Sequence, residues 1–194
     1  MKKHFFIFRH GQTTYNSNGF IQGQTNNSVL TEIGISQAYE IGLKLKKYPI
    51  EVMLCSPLAR TIQTANEVLK NLTNIPIIKE NGFIEVNVGE IEGLHYKEVL
   101  DKYGSKYQKW RDINDTDLDF CFKGGETKAQ VRKRAKDTID RYLHKSDYNY
   151  IAVSTHGILL AQICNELGYK VDEIKNGAIL HLFFDDGSIK IDFI

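Results

Sequence analysis

Short apolar runs that alternate with longer segments of helical apolar spacing constrain this chain more than any other feature. Strands buried on both faces and joined by amphipathic helices are the repeating unit of a largely parallel sheet, so the pattern predicts an α/β fold. The runs predicted as strands are residues 4–8, 50–55, 75–79, 150–154, 178–184 and 188–193. The last two flank Asp185-Asp186-Gly187, a hairpin turn signal. Leu58, Ile62, Ala65, Leu69 and Leu72 step by four and three residues, which predicts a helix with Ser56 as N-cap and Pro57 at its first position. Thr127 and Gln130 form a capping-box pattern ahead of Val131, Ala135, Ile139 and Tyr142. Another helix is expected after His156, stopping at Gly168. Residues 95–125 read as a helical insertion beside the sheet. Within it Tyr96, Leu100, Tyr103, Tyr107 and Trp110 recur at helical spacing and suit a packing seam better than a substrate wall.

At 194 residues the chain fits one domain, 1–194, with one substantial core. Lys and Arg number 25 against 24 Asp and Glu, so no overall field draws the protein to nucleic acid or to an anionic membrane. Affinity for anions must therefore be local. The basic run Lys128, Arg132, Lys133, Arg134 and Lys136 lacks interleaved aromatics and is read as a solvated face. The apolar stretch His4–Phe8 ends at Arg9, too soon for a secretory signal, and no run approaches the roughly 20 residues that span a bilayer. A cytoplasmic location is the expectation. Cys55, Cys121 and Cys164 are odd in number and widely spaced, as reduced thiols would be.

In open parallel sheets the ligand site lies beyond the carboxyl ends of the strands. Four distant segments converge there: Arg9-His10-Gly11, Ser56-Pro57-Leu58-Ala59-Arg60, the loop bearing Glu85, and Thr155-His156-Gly157. Two arginines, two histidines and a carboxylate are the parts a phosphoryl-transfer site requires. Guanidinium forks hold the non-bridging oxygens of a phosphate ester and stabilise the charge that spreads over them in the transition state. A neutral histidine can attack phosphorus, and a nearby carboxyl can protonate the leaving oxygen and later activate water. With arginines supplying the charge, no metal or other cofactor is needed. Arg60 falls in the first turn of its helix, where the macrodipole disfavours a cation unless an anion binds beside it. His4, His95, His144 and His181 show no partner pattern and are read as structural.

These residues resemble the histidine phosphatase, or phosphoglycerate-mutase-like, superfamily. Arg9-His10-Gly11-Gln12-Thr13 with Asn16 looks like its signature block, and Ser56 to Ala65 matches a second. Glu85 ahead of Gly89-Glu90-Ile91-Glu92-Gly93 resembles the acid-bearing loop, Gly124-Gly125-Glu126-Thr127 a connecting motif, and Ser154-Thr155-His156-Gly157 the second histidine block. The five blocks stand in family order over almost the whole chain. The resemblance implies a three-layer α/β/α sandwich with a mostly parallel sheet. It also implies that His10 becomes phosphorylated, that Arg9, Arg60 and His156 form the phosphate pocket with Gly157 beside them, and that Glu85 donates the proton. Asn16 and Gln22 would add polar contacts, and no metal is implied.

Within such a family the expected reaction is hydrolysis of small phosphomonoesters. A cofactor-dependent phosphoglycerate mutase is the enzymatic alternative, but it needs further cations. Val86-Asn87-Val88-Gly89 lacks the Arg and Tyr in which mutases resemble one another, and the insertion offers one arginine, Arg111. A non-catalytic phospholigand-binding module is the alternative of another class; such relatives lose a nucleophile, arginine or acid, and none is missing here. The expected partner is a small phosphate ester; a homodimer is compatible with the sequence but not read from it. The divergent residues 18–28, with Phe20 where many relatives carry Arg, leave the leaving group open.

Overall fold

The computed structural model describes residues 2–114 and 116–194. In chain order the elements are β1 (Lys2–Arg9), α1 (Thr14–Asn18), α2 (Glu32–Leu45), β2 (Val52–Cys55), α3 (Ala59–Leu69), β3 (Ile77–Lys79), α4 (Tyr96–Tyr103), α5 (Ser105–Arg111), α6 (Lys128–Lys145), β4 (Tyr150–Thr155), α7 (Gly157–Glu166), β5 (Ile179–Asp185) and β6 (Ser188–Phe193). The strands form one sheet in the order β3-β2-β4-β1-β5-β6. β3, β2, β4 and β1 pair in parallel, and β5 and β6 complete the edge as an antiparallel hairpin. Its loop is Asp186-Gly187, both with positive φ (43° and 89°), the geometry of a two-residue turn that follows strand twist.

The period-2 alternation of the strands divides the core between two faces. Phe5 and Ile7 of β1, Val52 and Leu54 of β2, and Ile151 and Val153 of β4 pack on one side, beneath α6, α7 and the α4–α5 pair. Phe6, Phe8, Met53, Cys55 and Ala152 pack on the other, beneath Ile41 and Leu45 of α2 and Ala65 and Val68 of α3. The three-layer sandwich follows, and burial on both faces explains why these strands read as unbroken apolar runs. Each large apolar side chain so buried contributes about 1.5–3 kcal/mol.

Several sequence readings need correction. Ser56 does not cap α3: Leu58 holds the N-cap position, and its apolar side chain accepts no bond from the first turn. Leu72 lies past the end of α3, though it still packs on the core. The insertion is two helices, split at Gly104, whose φ of 52° and ψ of −125° suit glycine alone. Tyr107 and Trp110 are buried with Phe122 in the expected seam, whereas Tyr96 is exposed.

The basic run of α6 is not uniformly solvated. Lys133 and Lys136 pair with Asp137 and Asp140 on the outer face. Lys128 is buried and donates to the Asp112 carbonyl at 2.9 Å, and Arg132 reaches Gln162. Arg134 turns inward under the Glu85 loop. The Thr127–Gln130 capping box is present as expected. Cys55 and Cys164 are buried free thiols, their pKa values pushed up to about 11 and about 12 by burial. Among the described residues no helix is long and apolar enough to cross a membrane.

Candidate active site

The carboxyl ends of the parallel strands bring the candidate residues together at one edge. β1 ends at Arg9, and the chain turns at once, with the His10 amide donating to the Thr155 carbonyl at 2.9 Å. The loop behind it is held by contact between Gly11 and Gly34: a Cβ on Gly11 would stand 2.2 Å from the Gly34 carbonyl oxygen. Thr64 Oγ1 accepts from the Gly11 amide at 3.1 Å, and Asn176 Nδ2 donates to the His10 carbonyl at 2.9 Å. These bonds fix the direction in which the His10 ring leaves the sheet.

His10 is buried, and its Nδ1 lies 2.7 Å from the carbonyl oxygen of Gly11. A carbonyl can only accept, so Nδ1 carries the proton and Nε2 keeps its lone pair. Burial first, and then the charges of Arg60 and Arg9, hold the imidazole well below its ordinary pKa, while the Gly11 bond acts in the opposite sense. The ring is therefore neutral near pH 7. His156 stands edge-on to it, ring centroids 5.4 Å apart, and burial and Arg60 lower its pKa in the same way.

Around and within this pair lie three buried nitrogens without a partner. Arg9 Nε, Arg60 Nε and His156 Nδ1 have no hydrogen-bond partner among the described residues. The remaining guanidinium contacts of Arg60 go to the carbonyls of Thr25 and Gly23, at 2.8 and 2.6 Å. Burial brings the Arg60 pKa down to about 10, with Glu85 opposing that shift. Arg9 donates to the Ile174 carbonyl, and its side chain lies against Gly157, where an added Cβ would stand 3.1 Å from Nε. Buried donors left unpaired are costly, so a cluster of them marks a place built for an acceptor of high charge.

Of the four neighbouring glutamates Glu85 acts electrostatically on both Arg9 and Arg60, and Glu92 on Arg60 alone. Glu85 Oε1 accepts from the amides of Val86 and Leu159, each at 3.0 Å, and Oε2 from the amide of Ile158 at 3.1 Å. Ile158 and Leu159 belong to the first turn of α7, so Glu85 caps that helix from another segment. Glu80 is taken by Arg141 and Tyr142, and Glu92 by the Gln24 amide. Glu90 faces Lys102 at 3.9 Å.

Asn16 and Gln22 sit beside the cluster in structural roles. Asn16 closes the capping box of α1 with Thr13, and its Oδ1 accepts from Asn176 at 3.3 Å. Gln22 Oε1 accepts from the hydroxyls of Thr13 and Ser28, at 3.1 and 2.6 Å. Both therefore brace the His10 loop, whatever their amide nitrogens do.

Three contributors had no sequence signal strong enough to single them out. Ser56 Oγ lies 2.7 Å from His156 Nε2. Arg134 donates to the carbonyls of Ile84 and Glu85, at 2.6 and 3.1 Å, while gripping Glu126 of the Gly124-Gly125-Glu126 motif at 2.7 Å. Asn176 bridges the two halves of the His10 loop. Of the histidines read as structural, His95 caps α4, His4 and His181 meet at 2.9 Å within an aromatic stack on the sheet, and His144 is exposed in the last turn of α6.

Known proteins resemble this chain in sequence and in fold. A 2-carboxy-D-arabinitol-1-phosphatase of Triticum aestivum is 30% identical over 167 residues, 86% of this chain but 33% of that protein. A metal-independent phosphoserine phosphatase of Arabidopsis thaliana is 32% identical over 160 residues, 81% of this chain and 65% of that protein. The chain thus spans a third of the length of one of these relatives and just under two thirds of the other. The solved structure of a mycobacterial glucosyl-3-phosphoglycerate phosphatase shares the fold with a TM-score of 0.81 at 22% identity, covering 100% of this chain and 97% of that one. The family model described as "Histidine phosphatase superfamily (branch 1)" matches residues 5–193, and the chain belongs to that superfamily.

Proposed function

We propose that this protein is a metal-independent phosphomonoesterase, a single catalytic domain that hydrolyses small phosphate esters through a phosphohistidine on His10. The observation that carries the reading is the buried His10 ring, its Nδ1 bonded to the Gly11 carbonyl, beside three buried nitrogens that have no partner among the described residues. Arg9, Arg60 and His156 hold the non-bridging oxygens of the ester. The Nε2 lone pair of His10 attacks phosphorus, the bond from phosphorus to the leaving oxygen breaks, and Glu85 supplies the proton to that oxygen. In the second step Glu85 takes a proton from water, the water oxygen attacks phosphorus, and the phosphorus–nitrogen bond breaks. Inorganic phosphate leaves and His10 returns to its neutral form.

The phosphate esters in the names of the two curated relatives support a monoester substrate. A mutase reading is not favoured, because Val86 and Val88 are buried in the core instead of presenting cations, and Tyr107 and Trp110 of α5 are spent on packing. A cytoplasmic setting is supported by three free cysteines. The test is phosphate release from an aryl phosphate in the presence of chelator. Wild type is expected to turn over and His10→Ala to be inactive; equal release by both refutes the assignment and favours a phospholigand-binding module with contaminating activity.

A further inference from the structure

One helix carries a surface that the proposed chemistry does not use. Ten large apolar side chains are exposed among the described residues, and five of them, Val29, Ile33, Ile35, Tyr39 and Leu43, fall within residues 29–43. Ile35, Tyr39 and Leu43 are spaced i, i+4, i+8 on α2, so they form one ridge on the side away from the buried Ala38, Ile41 and Leu45. Apolar side chains concentrated in this way mark interaction sites more often than scattered single ones do.

The ridge has polar ends of opposite sign. At 100° per residue Glu32 and Lys46 project on the same side of α2 as Ile35, Tyr39 and Leu43, one turn beyond each end of the row. Both are exposed, and neither has an ion-pair partner within the chain among the described residues. Lys44, by contrast, is occupied by the Ile194 carbonyl at 3.1 Å. The row is symmetric about Tyr39: Ile35 and Leu43 lie four residues to either side of it, Glu32 and Lys46 seven to either side. Reversing the helix therefore places apolar on apolar and acid on base.

We propose that α2 is the contact of a homodimer in which two copies pack antiparallel about a twofold axis at Tyr39. Ile35 of each protomer meets Leu43 of the other, Tyr39 meets Tyr39, and Glu32 pairs with the other protomer's Lys46 at both ends. A twofold contact needs a self-complementary patch, and a palindromic ridge supplies one. Rows of i±4 side chains from two helices interdigitate in the commonest class of helix packing. A single helix pair buries less than a large obligate interface, so the dimer is a concentration-dependent one.

Sedimentation velocity over a concentration series, on the full chain, tests it. Wild type is expected to pass from monomer to dimer. E32K and K46E each set like charges against each other at both ends, and each is expected to weaken association roughly tenfold. The exchange E32K/K46E restores opposite signs and is expected to restore association. L43E is expected to abolish it. All three positions are solvent-exposed and outside the site, so near-UV circular dichroism and aryl phosphate hydrolysis should stay at wild-type levels. A wild type that remains monomeric to its solubility limit overturns the proposal. So does a dimer indifferent to L43E and to both reversals, and failure of the double exchange to rescue overturns the antiparallel register.

Discussion

Ser56→Ala isolates the link between local bonding and the chemistry proposed here. Ser56 Oγ lies 2.7 Å from His156 Nε2, and the Leu58 amide donates to the same oxygen at 3.5 Å. With that amide as donor, the hydroxyl proton is left to point at Nε2. The imidazole is neutral, held there by burial and by Arg60, so it carries one proton only. A hydroxyl proton on Nε2 assigns the ring's own proton to Nδ1, the buried atom left without a partner among the described residues. Ser56 is in this way a positioning residue that selects the tautomer able to donate to phosphate. Removing the hydroxyl takes away one hydrogen bond to a buried neutral acceptor, about 1–1.5 kcal/mol, and the bias towards the donating tautomer shrinks by the same amount. At about 1.4 kcal/mol per factor of ten, kcat/KM for an aryl phosphate is expected to fall about tenfold. Long-range proton–nitrogen spectra of His156 report the tautomer directly: Nδ1 protonated in wild type, a mixture in the variant. An unchanged tautomer, or unchanged kcat/KM despite a changed one, refutes this reasoning.

Gly157→Ala puts a Cβ 3.1 Å from Arg9 Nε and 3.3 Å from its Cζ, so the guanidinium must shift by a few tenths of an ångström. Activity is expected to drop at least about tenfold, while the melting temperature holds or rises, because alanine suits the first turn of α7 better than glycine. Lys3 is buried and donates to the Tyr142 carbonyl at 3.0 Å and to Ser146 Oγ at 3.2 Å at the carboxyl end of α6. Lys3→Met should cost about 1–3 kcal/mol in urea unfolding and leave kcat unchanged. His10 and His156 both have folded pKa values below the unfolded value of about 6.5, so below that pH the unfolded chain binds more protons. Stability should therefore fall as pH drops below about 6.5, and the loss should be shallower by about 1.4 kcal/mol per pH unit in His156→Asn than in wild type. Equal slopes in urea titrations would contradict the neutral state of that ring.

The strands were legible because the sheet is covered on both sides, which turns each strand into a bounded apolar run. Strand ends carried the chemistry for the same reason: Arg9 and His10 directly follow Phe8, and His156 follows Val153 after only Ser154 and Thr155. The second helix block was legible in its apolar spacing but not in its start, since a serine before proline looks like a cap whether or not its hydroxyl is free to serve as one. Gly104 was visible in the sequence, yet a lone glycine within aromatic periodicity does not announce a break. The basic run of α6 misled because charge says nothing of direction. Lys128 and Arg134 point inward, where carbonyls left unpaired by the Asp112 and Ile84–Glu85 loops need donors, and those needs arise only once distant segments meet. Glu85 could be separated from Glu80, Glu90 and Glu92 only by geometry, for all four lie within one stretch of loop.

The central claim is that the Nε2 of His10 accepts the phosphoryl group. Rapid mixing of the enzyme with an aryl phosphate, quenching in alkali, where phosphohistidine survives, and peptide mass spectrometry would locate it. A transient phosphoryl group on His10, discharged at the rate of turnover, is the expected result. A phosphoryl group on any other side chain, or full turnover with the His10 peptide never modified, would contradict the account.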